Sequence, residues 1–187
     1  MSHPCTFFIL GATGNLARNK LLPALYHLEE AGKLSDGISI VCMGRREYTR
    51  ESWQEHVADI LSSRARGQLK QDVWAKLAAR LHYLAGDLYE QKIYEDVKAL
   101  LENDASFSQN AIFYMSIPPS EYAQVGRSLA EQGLNSQEHG FRRLVIEKPF
   151  GYDGESAEIL DQGLHRHFDE SQIYRIDHYL GKSMVQN

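Results

Sequence analysis

Short apolar runs alternate with longer amphipathic stretches along this chain, and that alternation restricts the fold more than any other feature. TFFILG (6–11) is a continuous apolar run closed by Gly11, the pattern of a strand buried on both faces. ISIVCMG (38–44), LHYLAG (81–86), AIFYMSIPP (111–119) and RRLVIEKP (142–149) repeat it, and QIYRIDHYLGK adds a short last strand and the start of a helix. The first intervening helix spans Leu16 to Gly32, with Leu21, Leu25 and Leu28 at helical spacing and Gly32 as its C-cap. Pro23 has no backbone donor and predicts a break within it. Further helices are predicted over 49–63, capped by Thr49 or Ser52, and over 71–79 and 89–102. Two more follow, from a Ser120 cap to 132 and over 154–168. Strand–helix–strand repeated in this way specifies an α/β fold, a doubly wound parallel sheet of Rossmann type. Right-handed crossovers then bring the C-terminal ends of all strands to one edge. Gly11–Gly14, Gly44–Arg46, Gly86–Leu88, Ile117–Pro119 and Glu147–Pro149 gather there.

Composition sets the remaining bounds. A chain of 187 residues, 43% of them hydrophobic, can hold a core without staples. No apolar run reaches the ~20 residues of a membrane span, and the first residues lack an export signal. Cys5 and Cys42 lie far apart with no C-x-x-C, as in a reduced, cytoplasmic protein. A net charge of -5 argues against a general nucleic-acid binder.

Gly11-Ala12-Thr13-Gly14-Asn15-Leu16-Ala17 joins the first strand to the first helix. Gly11 can make the tight turn, Gly14 admits a pyrophosphate close to the backbone, and Ala17 lets helix and strand pack closely. The helix N-terminus offers N–H groups to phosphate. A tight turn without a ligand is the plainer alternative; the position after a strand favours a dinucleotide. No Gly-Lys-Ser/Thr follows, so this is not a Walker loop. At the end of the second strand, Arg45 stands where an NAD site usually places an acid. A guanidinium there suits the 2′-phosphate of NADP, with the Thr13 hydroxyl assisting. A solvated basic turn beside Glu47 is the alternative.

GATGNLARNKLLPALYHLEEAGKL, MSIPPSEY, IEKPFG and YRIDHYLGK occur in that order, and with them the chain resembles the glucose-6-phosphate dehydrogenase family over essentially its whole length. The resemblance implies an N-terminal NADP-binding Rossmann domain (1–176), with 177–187 beginning the connection to a larger domain. It implies oxidation of glucose 6-phosphate to 6-phosphogluconolactone, the first step of the oxidative pentose phosphate pathway. Gly11 to Ala17 and Arg45 would take the coenzyme, with Asp87, Leu88 and Tyr122 lining it. Lys148 would touch both sugar and coenzyme, and Pro149 matches a proline that is cis in the family. His178, Tyr179 and Lys182 match the sugar-phosphate binders. Asp177 matches the carboxylate that orients the catalytic histidine, and Lys20 a basic residue near the active site. On a helix beginning at Tyr179, His178 and Lys182 would converge on one phosphate. The family's enzymes are homo-oligomers through their second domain. Three positions depart from the family pattern: Asn15 replaces an Asp but keeps a cap-like role, Asn19 replaces a basic residue, and Ser183 replaces a Glu, which loosens the ion pairs around Lys182.

By the same resemblance, the base that takes the hydroxyl proton lies beyond residue 187. A neutral histidine suits that task near pH 7, and none of the eight histidines present replaces it by motif. His165 and His167, two apart on a helix, make a poor metal site, and no metal is expected. These residues are therefore expected to bind NADP and to turn over glucose 6-phosphate negligibly. Two rival readings remain: a sensor of atypical short-chain dehydrogenase type, and a non-catalytic folding module. The first would use Tyr94-x-x-x-Lys98, which reads instead as a solvated helix face.

Overall fold

The strands at the centre of the sheet are largely apolar because both of their faces are largely buried. In the computed structural model, which describes residues 3–64, 68–147 and 162–176, β1 spans Cys5–Leu10, and Phe8, Ile9 and Leu10 are fully buried. Its side chains alternate between two cores. Phe8 and Leu10 join one with Phe113, Met115 and Leu144, while Ile9 joins the other with Leu25, Ile40 and Trp53. Each such side chain contributes roughly 1.5–3 kcal/mol by leaving water.

The remaining strands are β2 (Ile38–Gly44), β3 (Leu81–Ala85), β4 (Ala111–Met115), β5 (Arg142–Glu147) and β6 (Ile173–Ile176). All pair in parallel in the order β3-β2-β1-β4-β5-β6. This is the doubly wound order, with its direction reversing between β1 and β4. The helices are α1 (Leu22–Glu30), α2 (Arg50–Arg64), α3 (Gln71–Arg80), α4 (Lys92–Asn103) and α5 (Tyr122–Glu131), with a further helical turn at 162–165. No described helix is long and apolar enough to cross a membrane.

Several local expectations are met with identifiable chemistry. Thr49 and Ser52 cap α2 reciprocally, since each hydroxyl accepts from the other's backbone N–H, at 3.0 and 2.9 Å. Gly32, at φ 68°, closes α1 with Lys33 N–H donating to Leu28 O and Gly32 N–H to Glu29 O. The break at Pro23 takes a form that periodicity does not reveal. Residues Ala17–Leu21 form a π turn, closed by Leu22 N–H on Ala17 O, and α1 begins with Pro23 in its first turn.

Other expectations are corrected. Ser120 does not cap α5; it lies inside a 3₁₀ turn, Pro119–Glu121, that feeds Tyr122 into the helix. The helix predicted from 89 begins at Lys92, because Asp87 holds the preceding segment in a turn. Asn15 makes no side-chain cap, and Asn19 accepts a hydrogen bond from Arg64. Tyr94 is not on a solvated face but fully buried, its hydroxyl donating to Leu88 O at 2.7 Å. It is unavailable as a catalytic tyrosine.

Both cysteines are free and buried. Burial pushes the Cys42 thiol up to about 12 and Cys5 to about 11, from an ordinary 9.0. Neither thiol is therefore expected to react with a disulfide reagent at neutral pH until the protein is unfolded, when both should titrate. A raised acid pKa stabilises the fold fully below 9.0, and that contribution fades as pH rises from there through 11 to 12. Melting curves between pH 8 and 12 would check this alkaline decline.

Candidate coenzyme site

The turn after β1 is built around a glycine that no other residue can replace without rearrangement. Gly11 has φ 88°, and a Cβ there would lie 2.3 Å from Ser116 O and 2.9 Å from Ile117 Cγ2. The N–H groups of Gly11 and Ala12 both donate to Met43 O, at 3.0 and 2.9 Å, tying the loop to the end of β2. Gly14 is different. A Cβ there would sit 3.3 Å from Gly11 O, a tight contact with the turn's own backbone, and would meet no other atom within 4 Å. Glycine at that position is useful to something approaching from outside, as a pyrophosphate would. Ala17 is fully buried against the second core, and the helix that starts beside it has unpaired N–H groups in its first turn. Residues 11–17 thus gather at the C-terminal edge of β1, where the strand order reverses.

The ends of β2 and β3 supply charge. Gly44 lets Thr13 lie directly over the end of β2, since a Cβ there would sit 2.9 Å from Thr13 Cγ2 and 3.0 Å from its Oγ1. Thr13 and the following Arg45 are therefore neighbours. The Arg45 guanidinium is 3.5 Å from the Asp87 carboxylate and lies over the Tyr89 ring, 5.5 Å from its centroid. Asp87 Oδ1 also accepts the Tyr89 N–H at 2.9 Å. Leu88 is half-buried against the first core. Below this corner, Tyr83 donates to Arg46 O at 2.5 Å and packs with Tyr48 and Trp53, bracing the turn after β2. Neither Tyr83, in the middle of β3, nor Tyr89, four positions after that strand's end, is singled out in the sequence.

On the other half of the edge, Tyr122 is 2% exposed, so it braces the wall from within rather than lining it openly. Its hydroxyl lies 3.4 Å from the Glu147 N–H and 3.5 Å from Glu147 O, and burial raises its pKa to about 12. Tyr114 donates to the buried Glu147 Oε1 at 3.1 Å, and burial together with that carboxylate holds the Tyr114 proton firmly. Ser116, at the end of β4, keeps a buried hydroxyl with no partner. Glu147 and Ile176, the last described residues within IEKPFG and YRIDHYLGK, are paired in register at this edge. Lys20 is exposed on the π turn. Lys148, Pro149, Asp177, His178, Tyr179, Lys182 and Ser183 lie outside the described residues. No metal-binding group of His, Cys, Asp and Glu occurs among the described residues, and His165 instead pairs with Glu170.

A parallel sheet of this order, with a glycine loop at its reversal point and a guanidinium after β2, has the architecture of a dinucleotide-binding domain. Comparison with known proteins gives the family. Residues 8–187 match the sequence profile of "Glucose-6-phosphate dehydrogenase, NAD binding domain", and the chain belongs to that family. It is 39% identical to a glucose-6-phosphate 1-dehydrogenase of Aggregatibacter actinomycetemcomitans, over 98% of this chain and 37% of the relative. It is 35% identical to that of Bacillus subtilis, over 96% of this chain and 36% of the relative. Among solved structures, a Mycobacterium avium glucose-6-phosphate 1-dehydrogenase superposes with TM-score 0.82 at 30% identity, over 96% of this chain and 38% of that one. A glucose-6-phosphate dehydrogenase in complex with its substrate glucose 6-phosphate superposes with TM-score 0.84 at 31% identity, over 100% of this chain and 39% of that one. The chain spans a little over a third of the length of these relatives.

Proposed function

We propose that this chain is the NADP-binding part of an enzyme that oxidises glucose 6-phosphate at C1 to 6-phosphogluconolactone. The observation that carries the reading is the meeting, at one sheet edge, of the Gly11–Gly14 turn, the Arg45 guanidinium and the in-register pair Glu147 and Ile176, which belong to IEKPFG and YRIDHYLGK. When bound, the nicotinamide would accept the hydride from the sugar. Gly11 to Ala17 would hold the pyrophosphate, with Gly11, Ala12 and Gly14 shaping the turn through their own N–H bonds and the N–H groups at the helix start donating to the ligand. Arg45 and Thr13 would hold the 2′-phosphate, with Asp87 and Leu88 at the adenosine and Tyr122 supporting the wall. By family resemblance, Lys148 would reach both ligands, and His178, Tyr179 and Lys182 would bind the sugar phosphate, with Lys20 nearby. Asp177 would orient the base. A short-chain-type sensor finds no support, since its tyrosine is buried at Tyr94.

Calorimetric titration of the 187-residue chain with NADP and with NAD tests the reading. NADP should bind the more tightly, and Arg45→Ala should erase about 10- to 100-fold of that preference, the worth of hydrogen bonds to a charged group. Added glucose 6-phosphate should alter NADP affinity. Equal binding of the two coenzymes, unchanged in Arg45→Ala, would overturn the assignment of Arg45.

A further inference from the structure

Tyr89 is one of two large hydrophobic side chains that stand exposed among the described residues, and nothing in the family motifs accounts for it. It leaves 49% of its surface in water at the mouth of the coenzyme edge. It is nevertheless held at both ends. Its N–H is fixed on Asp87 Oδ1 at 2.9 Å, and its hydroxyl is hydrogen-bonded to the Glu121 carboxylate at the foot of α5. A ring anchored in this way is a fixed surface. The Arg45 guanidinium lies over that surface, 5.5 Å from the ring centroid, with Asp87 3.5 Å to its side.

Resting on the NADP reading above, we infer that Tyr89 is a specificity-determining positioning residue: its tethered ring holds the Arg45 guanidinium at the adenosine end of the crevice, ready for a 2′-phosphate. Arginine is long and two-thirds exposed here, so without a platform its planar fork would sample many rotamers. The quadrupole of the ring face attracts the cation and restricts it. Asp87 supplies the second restraint and acts as a placeholder anion. Its single 3.5 Å contact is exchangeable for the paired donors that a guanidinium offers to phosphate. An adenosine without the 2′-phosphate has no group to claim those donors, and the Arg45–Asp87 pair stays closed. The platform therefore acts on the difference between NADP and NAD and leaves general nucleotide affinity unchanged.

The test uses adenosine 2′,5′-bisphosphate and adenosine 5′-diphosphate as probes on the 187-residue chain, so that the nicotinamide half plays no part. Tyr89→Ala should weaken the bisphosphate about three- to fivefold, the worth of an exposed cation–π contact, and leave the diphosphate unchanged. Tyr89→Phe keeps the ring and should retain most of the affinity, whereas a purely structural role for the hydroxyl tether would make the two variants equally weak. Melting temperatures measured alongside should match the unsubstituted chain. Equal weakening of both probes would mean that Tyr89 stacks on the adenine itself and would overturn the inference, as would no change in either. If the unsubstituted chain binds neither the bisphosphate nor NADP, the coenzyme reading itself is overturned; if it binds both and Tyr89→Ala is silent, only the role of Tyr89 is.

Discussion

Gly11→Ala is expected to lower the melting temperature on the order of 10 °C and to weaken NADP binding more than about 100-fold. Two costs combine. A left-handed backbone costs a residue with a Cβ roughly 1–2 kcal/mol, and φ at Gly11 is 88°. The added methyl would also sit 2.3 Å from Ser116 O, a backbone atom fixed because its own N–H donates to Leu10 O at 2.9 Å. Relieving that overlap means parting the ends of β1 and β4, a cost of about 1–3 kcal/mol for an overpacked site. Together these give about 2–5 kcal/mol, at roughly 2–4 °C per kcal/mol for a domain of this size. The coenzyme suffers more than the fold, because the movement displaces the N–H groups that would hold the pyrophosphate. Two controls separate the effects. Gly32→Ala shares the positive φ, at 68°, but has open space around it, so it should cost stability modestly and leave NADP binding intact. Gly14→Ala should melt only slightly lower yet bind NADP poorly, since its Cβ presses on the turn at one atom, Gly11 O at 3.3 Å, and otherwise faces the ligand's space. Thermal melts and calorimetry on the three variants decide the matter; normal melting and normal binding in Gly11→Ala would refute the account.

The contrast among these glycines also shows what the sequence could convey. Strands β1, β2 and β4 are readable because burial on both faces removes polar residues from them, and the fold class follows from their alternation with helices. The glycine loop is readable because the turn has strict steric needs. Arg45 was readable as a cation after β2. Its partners were not, because the contact between Arg45, Asp87 and Tyr89 joins residues more than 40 positions apart and depends on the β2–β3 pairing. The π turn is illegible for a different reason: widening one turn moves a hydrogen-bond partner by one residue without altering the apolar pattern. Tyr94 is buried despite its charged surroundings in sequence, because its helix is charged on one side only and the tyrosine lies on the other. Ser120 does not cap the helix because Pro118 and Pro119 already start the chain into a tight turn before the helix begins.

Away from the coenzyme edge, the largest expected loss of stability comes from Arg80→Met. Arg80 and Glu29 are a buried pair, 9% and 3% exposed, bonded at 2.8 and 3.3 Å through two nitrogens and two oxygens. The same guanidinium donates to Ser35 O at 2.5 Å, Ile38 O at 2.9 Å and Leu34 O at 3.1 Å. One side chain at the end of α3 thus satisfies the carboxylate of α1 and three carbonyls of the segment that leads into β2. Removing it strands an anion in a dry site, which costs about 3–5 kcal/mol. Urea unfolding should show a lower midpoint with an unchanged slope. Arg80→Lys should recover little, because an ammonium cannot reproduce the planar fork. The double variant Arg80→Met, Glu29→Leu should be more stable than Arg80→Met alone, since the uncompensated charge is then gone. NADP affinity of the folded fraction should not change in any of them, because the pair closes the N-terminal end of β2, the end opposite the coenzyme edge. A single variant as stable as the unsubstituted chain, or a double variant worse than the single, would show that the pair does not hold this edge together.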